Sequence, residues 1–186
     1  MQIETTALEG VLILTPRRFG DARGFFSETY NRAAHEEAGI ARDWVQDNHS
    51  FSVTPGTVRG LHFQAPPRAQ AKLVRCGRGA LFDVAVDIRA GSPTYGEWVG
   101  VELSFDNGRQ LLIPEGFAHG FMALSAETEI LYKCSDFYAP ETEGALAWDD
   151  PDLAIGWPDP GRAPVLSEKD AEAPAFAGFT TPFKAG

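Results

Sequence analysis

Between residues 44 and 148 the chain is a succession of short segments in which apolar and polar residues alternate, cut apart by glycine, proline and asparagine. No stretch there carries a helical pattern long enough to serve as a crossover. The segments fall at 44–51, 58–64, 69–75, 81–88, 98–105, 109–113, 117–124 and 128–134, with a short edge at 145–148. Residues 8–16 read as an earlier strand, and 25–30 as another beyond a turn at 19–24. In 81–88, Phe82, Val84, Val86 and Ile88 alternate with Asp83 and Asp87, the period of two that marks a strand. Strands so evenly spaced restrict the chain to an antiparallel β-sandwich or barrel. Asn31 can cap a short helix that Gly39 ends. After Trp157 the chain turns proline-rich and polar, so one domain spanning 1–186 is expected, with a C-terminal arm from about residue 158.

The stretch Val58-Arg59-Gly60-Leu61-His62-Phe63-Gln64 is followed closely by Ala69-Gln70-Ala71-Lys72-Leu73-Val74-Arg75. The link Ala65-Pro66-Pro67-Arg68 contains two residues without an N–H, so the two strands are expected to fold back as an antiparallel hairpin. Alternation puts Gly60, His62 and Gln64 on one face and Arg59, Leu61 and Phe63 on the other, while Lys72, Val74 and Cys76 share a face. Such a hairpin brings His62 near Lys72. An imidazole can take a proton near neutrality and an ammonium can receive a developing oxyanion. The alternative is a loop-flanking histidine and a solvated lysine.

Acidic residues outnumber basic ones, 26 to 16, for a net charge of −10. That field repels nucleic acid and anionic membrane surfaces, so neither is an expected partner. An anionic ligand would need a local cluster of cations, for which Arg23, Arg59 and Lys72 are candidates through phosphate contacts. Cys76 and Cys134 each lie in an apolar strand-like run, which favours buried free thiols and a reducing compartment. No stretch approaches the roughly 20 apolar residues of a membrane span. With no leader pattern at Met1-Gln2-Ile3-Glu4, a soluble, cytoplasmic protein is expected.

Ile113-Pro114-Glu115-Gly116-Phe117-Ala118-His119 carries the Pro-x-Gly-x-x-His spacing found in cupin jelly rolls. Metal-binding cupins add a His-x-His pair. Here the earlier strand offers His62-Phe63-Gln64, with Lys72 beyond it, and an ammonium beside a would-be cation site works against metal binding. No metal is therefore expected. Tyr132 shares a face with Thr128, Ile130 and Cys134 and reads either as a functional phenol or as a core tyrosine; Lys133 points the other way. In Leu166-Ser167-Glu168-Lys169-Asp170, Ser167 has the spacing of an N-cap. Asp170 then either completes a capping box or reaches a histidine and holds its tautomer. Both readings stand.

Taken together, several segments resemble the cofactor-independent dTDP-4-dehydrorhamnose 3,5-epimerases of deoxysugar biosynthesis. They are Gly20-Asp21-Ala22-Arg23-Gly24-Phe25-Phe26-Ser27-Glu28, Gln46-Asp47-Asn48-His49-Ser50, Arg59-Gly60-Leu61-His62-Phe63-Gln64, Gln70-Ala71-Lys72-Leu73-Val74-Arg75, Asp83-Val84-Ala85-Val86-Asp87-Ile88-Arg89, the segment from Ile113 to Phe121, Tyr132-Lys133 and Leu166-Ser167-Glu168-Lys169-Asp170. They occur in family order from about residue 10 to 172. The resemblance implies an all-β, cupin-like jelly roll with a few short helices, assembled as a homodimer. It implies action on a dTDP-4-ketosugar, dTDP-4-dehydro-6-deoxy-D-glucose, without metal or nucleotide cofactor. By that resemblance His62 is the base, Asp170 its orienting partner, Tyr132 the acid on the opposite face, and Lys72 the stabiliser of the enolate with His119 alongside. Arg23, Glu28, Gln46, Asp47, Asn48, Arg59, Tyr138, Glu143 and Lys169 fall at positions that contact the nucleotide sugar. Exchange of N-terminal strands across the dimer would send Arg23 and Glu28 to the neighbouring subunit's site. Phe51 stands where a polar or basic residue is common in the family. Rival readings are an epimerase inverting C3 or C5 alone, a non-catalytic nucleotide-sugar-binding jelly roll, and a metal-dependent cupin.

Overall fold

The computed structural model describes residues 1–185. The strands, in chain order, are β1 (Gln2–Thr5), β2 (Leu12–Thr15), β3 (Arg18–Asp21), β4 (Gly24–Ser27), β5 (Gln46–Ser52), β6 (Val58–Gln64), β7 (Lys72–Arg78), β8 (Ala80–Asp87), β9 (Arg89–Ala90), β10 (Trp98–Ser104), β11 (Gln110–Ile113), β12 (Phe117–Ala123), β13 (Thr128–Cys134), β14 (Glu143–Ala145) and β15 (Phe183–Lys184). Among the described residues two short α-helices accompany them, α1 (Arg32–Glu37) and α2 (Glu168–Ala171), with one 3-10 turn at Pro140–Thr142. Asn31 caps α1, its side chain accepting from the backbone N–H of Ala34.

Two antiparallel sheets form a jelly roll. One runs β1-β2-β11-β7-β13-β5, the other β10-β8-β12-β6-β14. Between them lies a core that includes Val74, Cys76, Leu81, Ala85, Val101, Leu111, Phe121 and Ile130, drawn from both sheets. The β6–β7 hairpin expected from the sequence does not form. β6 pairs with β12 and β14, whereas β7 pairs with β11 and β13 in the opposite sheet. The proline segment carries the chain across the gap of about 10 Å between packed sheets. Gln64 holds that crossing by donating to the carbonyls of Arg68 (2.7 Å) and Phe137 (3.2 Å).

Two further expectations change at the N-terminus. A strand, β1, precedes the one read at 8–16 and pairs with β2. The turn read at 19–24 and the strand at 25–30 are instead one hairpin, β3–β4, which forms its own two-stranded sheet. Phe19, Phe25 and Phe26 on it are 51%, 44% and 69% exposed.

The C-terminal arm packs back onto the outer face of the five-stranded sheet. There Phe176, Phe179 and Phe183 join Trp98 and Trp157 over Leu61, Phe63, Val84 and Val86. This decides which way β8 faces. Phe82, Val84 and Val86 lie under the arm, while Leu81 and Ala85, with Asp83 in the same alternation, face the sandwich interior. An acidic row that alternation alone would assign to solvent is buried, with Asp83 and Asp87 both at 0% exposure.

Candidate active site

One end of the sandwich opens into a cavity of about 260 Å³ whose walls include Arg59, His62, Lys72, His119, Tyr132 and Asp170. A smaller recess of about 100 Å³ shares His62, Lys72 and Tyr132 and adds Gln46, Asn48, Tyr138 and Glu143. His62 stands on β6 in one sheet and Tyr132 on β13 in the other, so imidazole and phenol enter the space from opposite walls. Lys72 begins β7 beside Cys134 of β13. It therefore meets His62 across the sandwich and not along a ladder.

Strand β6 departs from strict alternation at this point. His62 pairs with His119 and Arg59 with Phe121, so three residue steps on β6 oppose two on β12. This bulge turns Arg59 onto the cavity side with His62, correcting the opposite-face reading. Gly60 makes it possible. Its φ is +117°, and a Cβ there would lie 2.5 Å from Gly120 Cα and 2.6 Å from the His119 carbonyl oxygen.

Asp170 reaches the histidine, and Ser167 is the cap, but the Asp170 carboxylate meets the Ser167 hydroxyl and not the N–H that a capping box would use. Ser167 caps α2 by accepting from the Asp170 N–H (3.1 Å) and its hydroxyl donates to Asp170 Oδ2 (2.9 Å). The other oxygen, Oδ1, lies 2.6 Å from His62 Nε2. With Nε2–H donating to that carboxylate, Nδ1 keeps the lone pair. Burial lowers the His62 pKa, opposed by the charge of Asp170 and reinforced by Lys72, so the ring is neutral at pH 7. Burial raises that of Tyr132, whose hydroxyl stays protonated. Burial also lowers Lys72, offset in part by Cys134, Asp83 and Glu143. A neutral base, a protonated phenol and a buried amine thus share one space.

The rim is a chain of hydrogen bonds. Lys169 pairs with Glu143 (2.6 Å), which accepts from the Tyr138 hydroxyl (3.1 Å), and the Tyr138 N–H donates to Gln46 Oε1 (2.9 Å). Gln46 in turn donates to Asn48 Oδ1 (3.1 Å). Burial pushes Glu143 up, but Lys169 and Tyr138 outweigh it and its pKa is lowered.

Three residues named from the sequence lie elsewhere. Alternation along β5 turns Asp47 to the other side of its sheet, where Lys133 Nζ bonds it at 2.9 Å. Arg23 sits at the tip of the β3–β4 hairpin, paired with Asp21 at 2.5 Å, so it does not cluster with Arg59 and Lys72 in this chain. Glu28 lines a different recess, with Arg17, Phe19 and His35. Conversely, the structure brings in Asp83, bonded to His119 Nε2 at 2.8 Å, and the Ser167 hydroxyl. Ser167 was legible only as a cap. Asp83 was legible only as a member of an alternating strand and of a segment shared with the family, with no role attached.

Residues 5–178 match the family model described as dTDP-4-dehydrorhamnose 3,5-epimerase. The chain is 55% identical over 175 residues to the dTDP-4-dehydrorhamnose 3,5-epimerase of Salmonella typhimurium, covering 94% of each chain. It resembles the crystal structure of the Legionella pneumophila epimerase in complex with dTDP-4-keto-L-rhamnose, with a TM-score of 0.90 and 50% identity, over 94% of this chain and 92% of that one. It also resembles ChmJ, a 3'-monoepimerase from Streptomyces bikiniensis in complex with dTDP-quinovose, with a TM-score of 0.86 and 35% identity, over 92% of this chain and 86% of that one.

Proposed function

The chain belongs to the dTDP-4-dehydrorhamnose 3,5-epimerase family, and on that premise we propose how its own residues carry the reaction. The protein is an epimerase that inverts C3 and C5 of dTDP-4-dehydro-6-deoxy-D-glucose, giving dTDP-4-dehydro-L-rhamnose. The C4 ketone acidifies the C–H bonds on either side, because the carbanion delocalises onto oxygen. His62 Nδ1 removes such a proton, and Lys72, with His119 alongside, receives the enolate oxygen. Tyr132 then delivers a proton to the opposite face of the ring and the ketone re-forms with its centre inverted. The proton taken ends on His62 and the one given leaves Tyr132, so both groups must exchange with solvent before the next inversion. The observation that carries this reading is that His62 and Tyr132 enter one cavity from facing sheets.

Arg59, Lys72 and Lys169 supply a local cationic wall for the diphosphate, on a chain whose net charge is −10. Gln46, Asn48, Glu143 and Tyr138 bind the remainder of the nucleotide sugar. The reaction needs neither metal nor nucleotide cofactor: base, acid and oxyanion partner are all side chains, and turnover should persist in chelator. The active species is a homodimer that exchanges its N-terminal β3–β4 hairpins, a reading supported by the exposed Phe19, Phe25 and Phe26 and by Arg23 and Glu28 lying outside their own chain's cavity. Two buried free thiols, Cys76 and Cys134, suit a reducing cytoplasm, and no helix among the described residues is long and apolar enough to cross a membrane.

The decisive experiment is incubation with the dTDP-4-ketosugar in heavy water, reading deuterium and configuration at each carbon by NMR. Wild type should exchange and invert both centres. His62→Asn should do neither. Tyr132→Phe should keep deuterium uptake while net inversion falls, and equal loss of both would remove Tyr132 from the acid role. A second reading, inversion of one centre only, draws on the likeness to the 3'-monoepimerase and would show as exchange and inversion at a single carbon.

A further inference from the structure

Asp83 is a carboxylate at 0% exposure on the interior face of β8, in a core otherwise furnished by Leu81, Ala85 and Phe121. Taking such a charge out of water costs several kcal/mol unless partners offset it. One oxygen has a partner, His119 Nε2 at 2.8 Å. The other, Oδ2, is buried and has no hydrogen-bond partner among the described residues. A merely structural pair would favour a satisfied carboxylate or none. What the position offers is a carboxylate directly behind His119, in a cavity that Lys72 enters from the facing sheet.

The groups facing Lys72 come from every neighbouring element. They are Asp83 on β8, His62 and Arg59 on β6, His119 on β12, Tyr132 and Cys134 on β13, Glu143 on β14, and Lys169 with Asp170 on α2. Of the carboxylates, Asp170 is engaged with His62 and Glu143 with Lys169. Among the described residues, Asp83 is the one of these carboxylates with a buried oxygen that has no hydrogen-bond partner. We propose that Asp83 is a positioning residue for enolisation: it fixes His119 with Nε2 as donor, and its buried charge keeps Lys72 an ammonium when the oxyanion forms. This rests on the reading of Lys72 as the enolate's partner. Burial pulls the Lys72 pKa down, and Cys134, Asp83 and Glu143 pull part of it back.

The test compares Asp83→Asn, Lys72→Met and the double variant, by deuterium wash-in to the dTDP-4-ketosugar and by kcat and KM against pH. Asp83→Asn keeps the shape and an acceptor for His119 but removes the charge. It should cut kcat and wash-in about 10-fold at neutral pH with little change in KM, and bring the alkaline limb of kcat down in pH, so that activity recovers towards the acid side. The double variant should lose no more than Lys72→Met alone, because both act through one ammonium. An unmoved alkaline limb, or additive losses, would overturn the proposal for Asp83. Unchanged turnover in Lys72→Met would instead overturn the role of Lys72, whatever Asp83→Asn does. Should Asp83→Asn fail to bind dTDP or to melt cooperatively, ¹⁵N-lysine NMR of the wild-type protein decides. Lys72 still protonated at about pH 9 supports the proposal, and deprotonation below about pH 8 overturns it.

Discussion

Replacing Asp170 by asparagine isolates one interaction, the 2.6 Å contact between a carboxylate 5% exposed and His62 Nε2. Asparagine is nearly isosteric and can keep a bond to the Ser167 hydroxyl, so α2 should hold its place. What disappears is a charge-assisted hydrogen bond, worth about 1.5–3 kcal/mol, that both orients the ring and stabilises it once it has accepted a proton. At about 1.4 kcal/mol per decade, kcat for deuterium wash-in should fall about 10- to 100-fold. The pH dependence has a definite sign. Burial lowers the His62 pKa below the ordinary 6.5, Asp170 opposes that, and Lys72 and Lys169 add to it. Removing the Asp170 charge leaves burial and the two lysines unopposed, so the acid limb of kcat/KM should move to lower pH than in the wild type. The assay is a pH series of kcat/KM with wash-in measured in parallel. An acid limb that stays put or rises, or a loss confined to KM, would refute the assignment of Asp170 as the group that tunes and orients the base.

Gly60→Ala forces a Cβ to 2.5 Å from Gly120 Cα at a φ of +117°. It should lower the melting temperature by about 10 °C, measured by calorimetry; a shift within about 2 °C would mean that β6 and β12 can part without cost. Arg59→Ala should weaken dTDP binding about 10-fold while leaving kcat for the bound sugar close to wild type, a split that steady-state kinetics and calorimetric titration can read together. Ser167→Ala removes both the cap of α2 and the hydroxyl on Asp170 Oδ2. It should cost about 1 kcal/mol of stability and a smaller part of kcat than Asp170→Asn, by denaturant titration and turnover.

How far the site was legible follows from what each kind of pattern encodes. His62 and Lys72 were nameable from residue type and local spacing, and the cap at Ser167 from its spacing to Asp170, whereas Tyr132 and Asp170 took chemical roles only through the family resemblance. How the strands bring the four together was not legible. The hairpin that seemed to bring His62 to Lys72 is absent, and the two meet because consecutive strands lie in facing sheets. Arg59 reached the cavity only through a bulge that no alternation rule contains. Asp47 left it because β5 keeps that rule.

The amino-acid order by itself determined that this chain is built of short antiparallel strands, that a helix starts after Asn31, and which residues along each strand share a side. Tertiary packing alone decided which side is inside. On β8, folding the C-terminal arm over Phe82, Val84 and Val86 turned Asp83 inward, beneath His119. The physical reason is that alternation is a local, two-fold property of the backbone, whereas inside and outside are set by what other segments cover, often a hundred residues away.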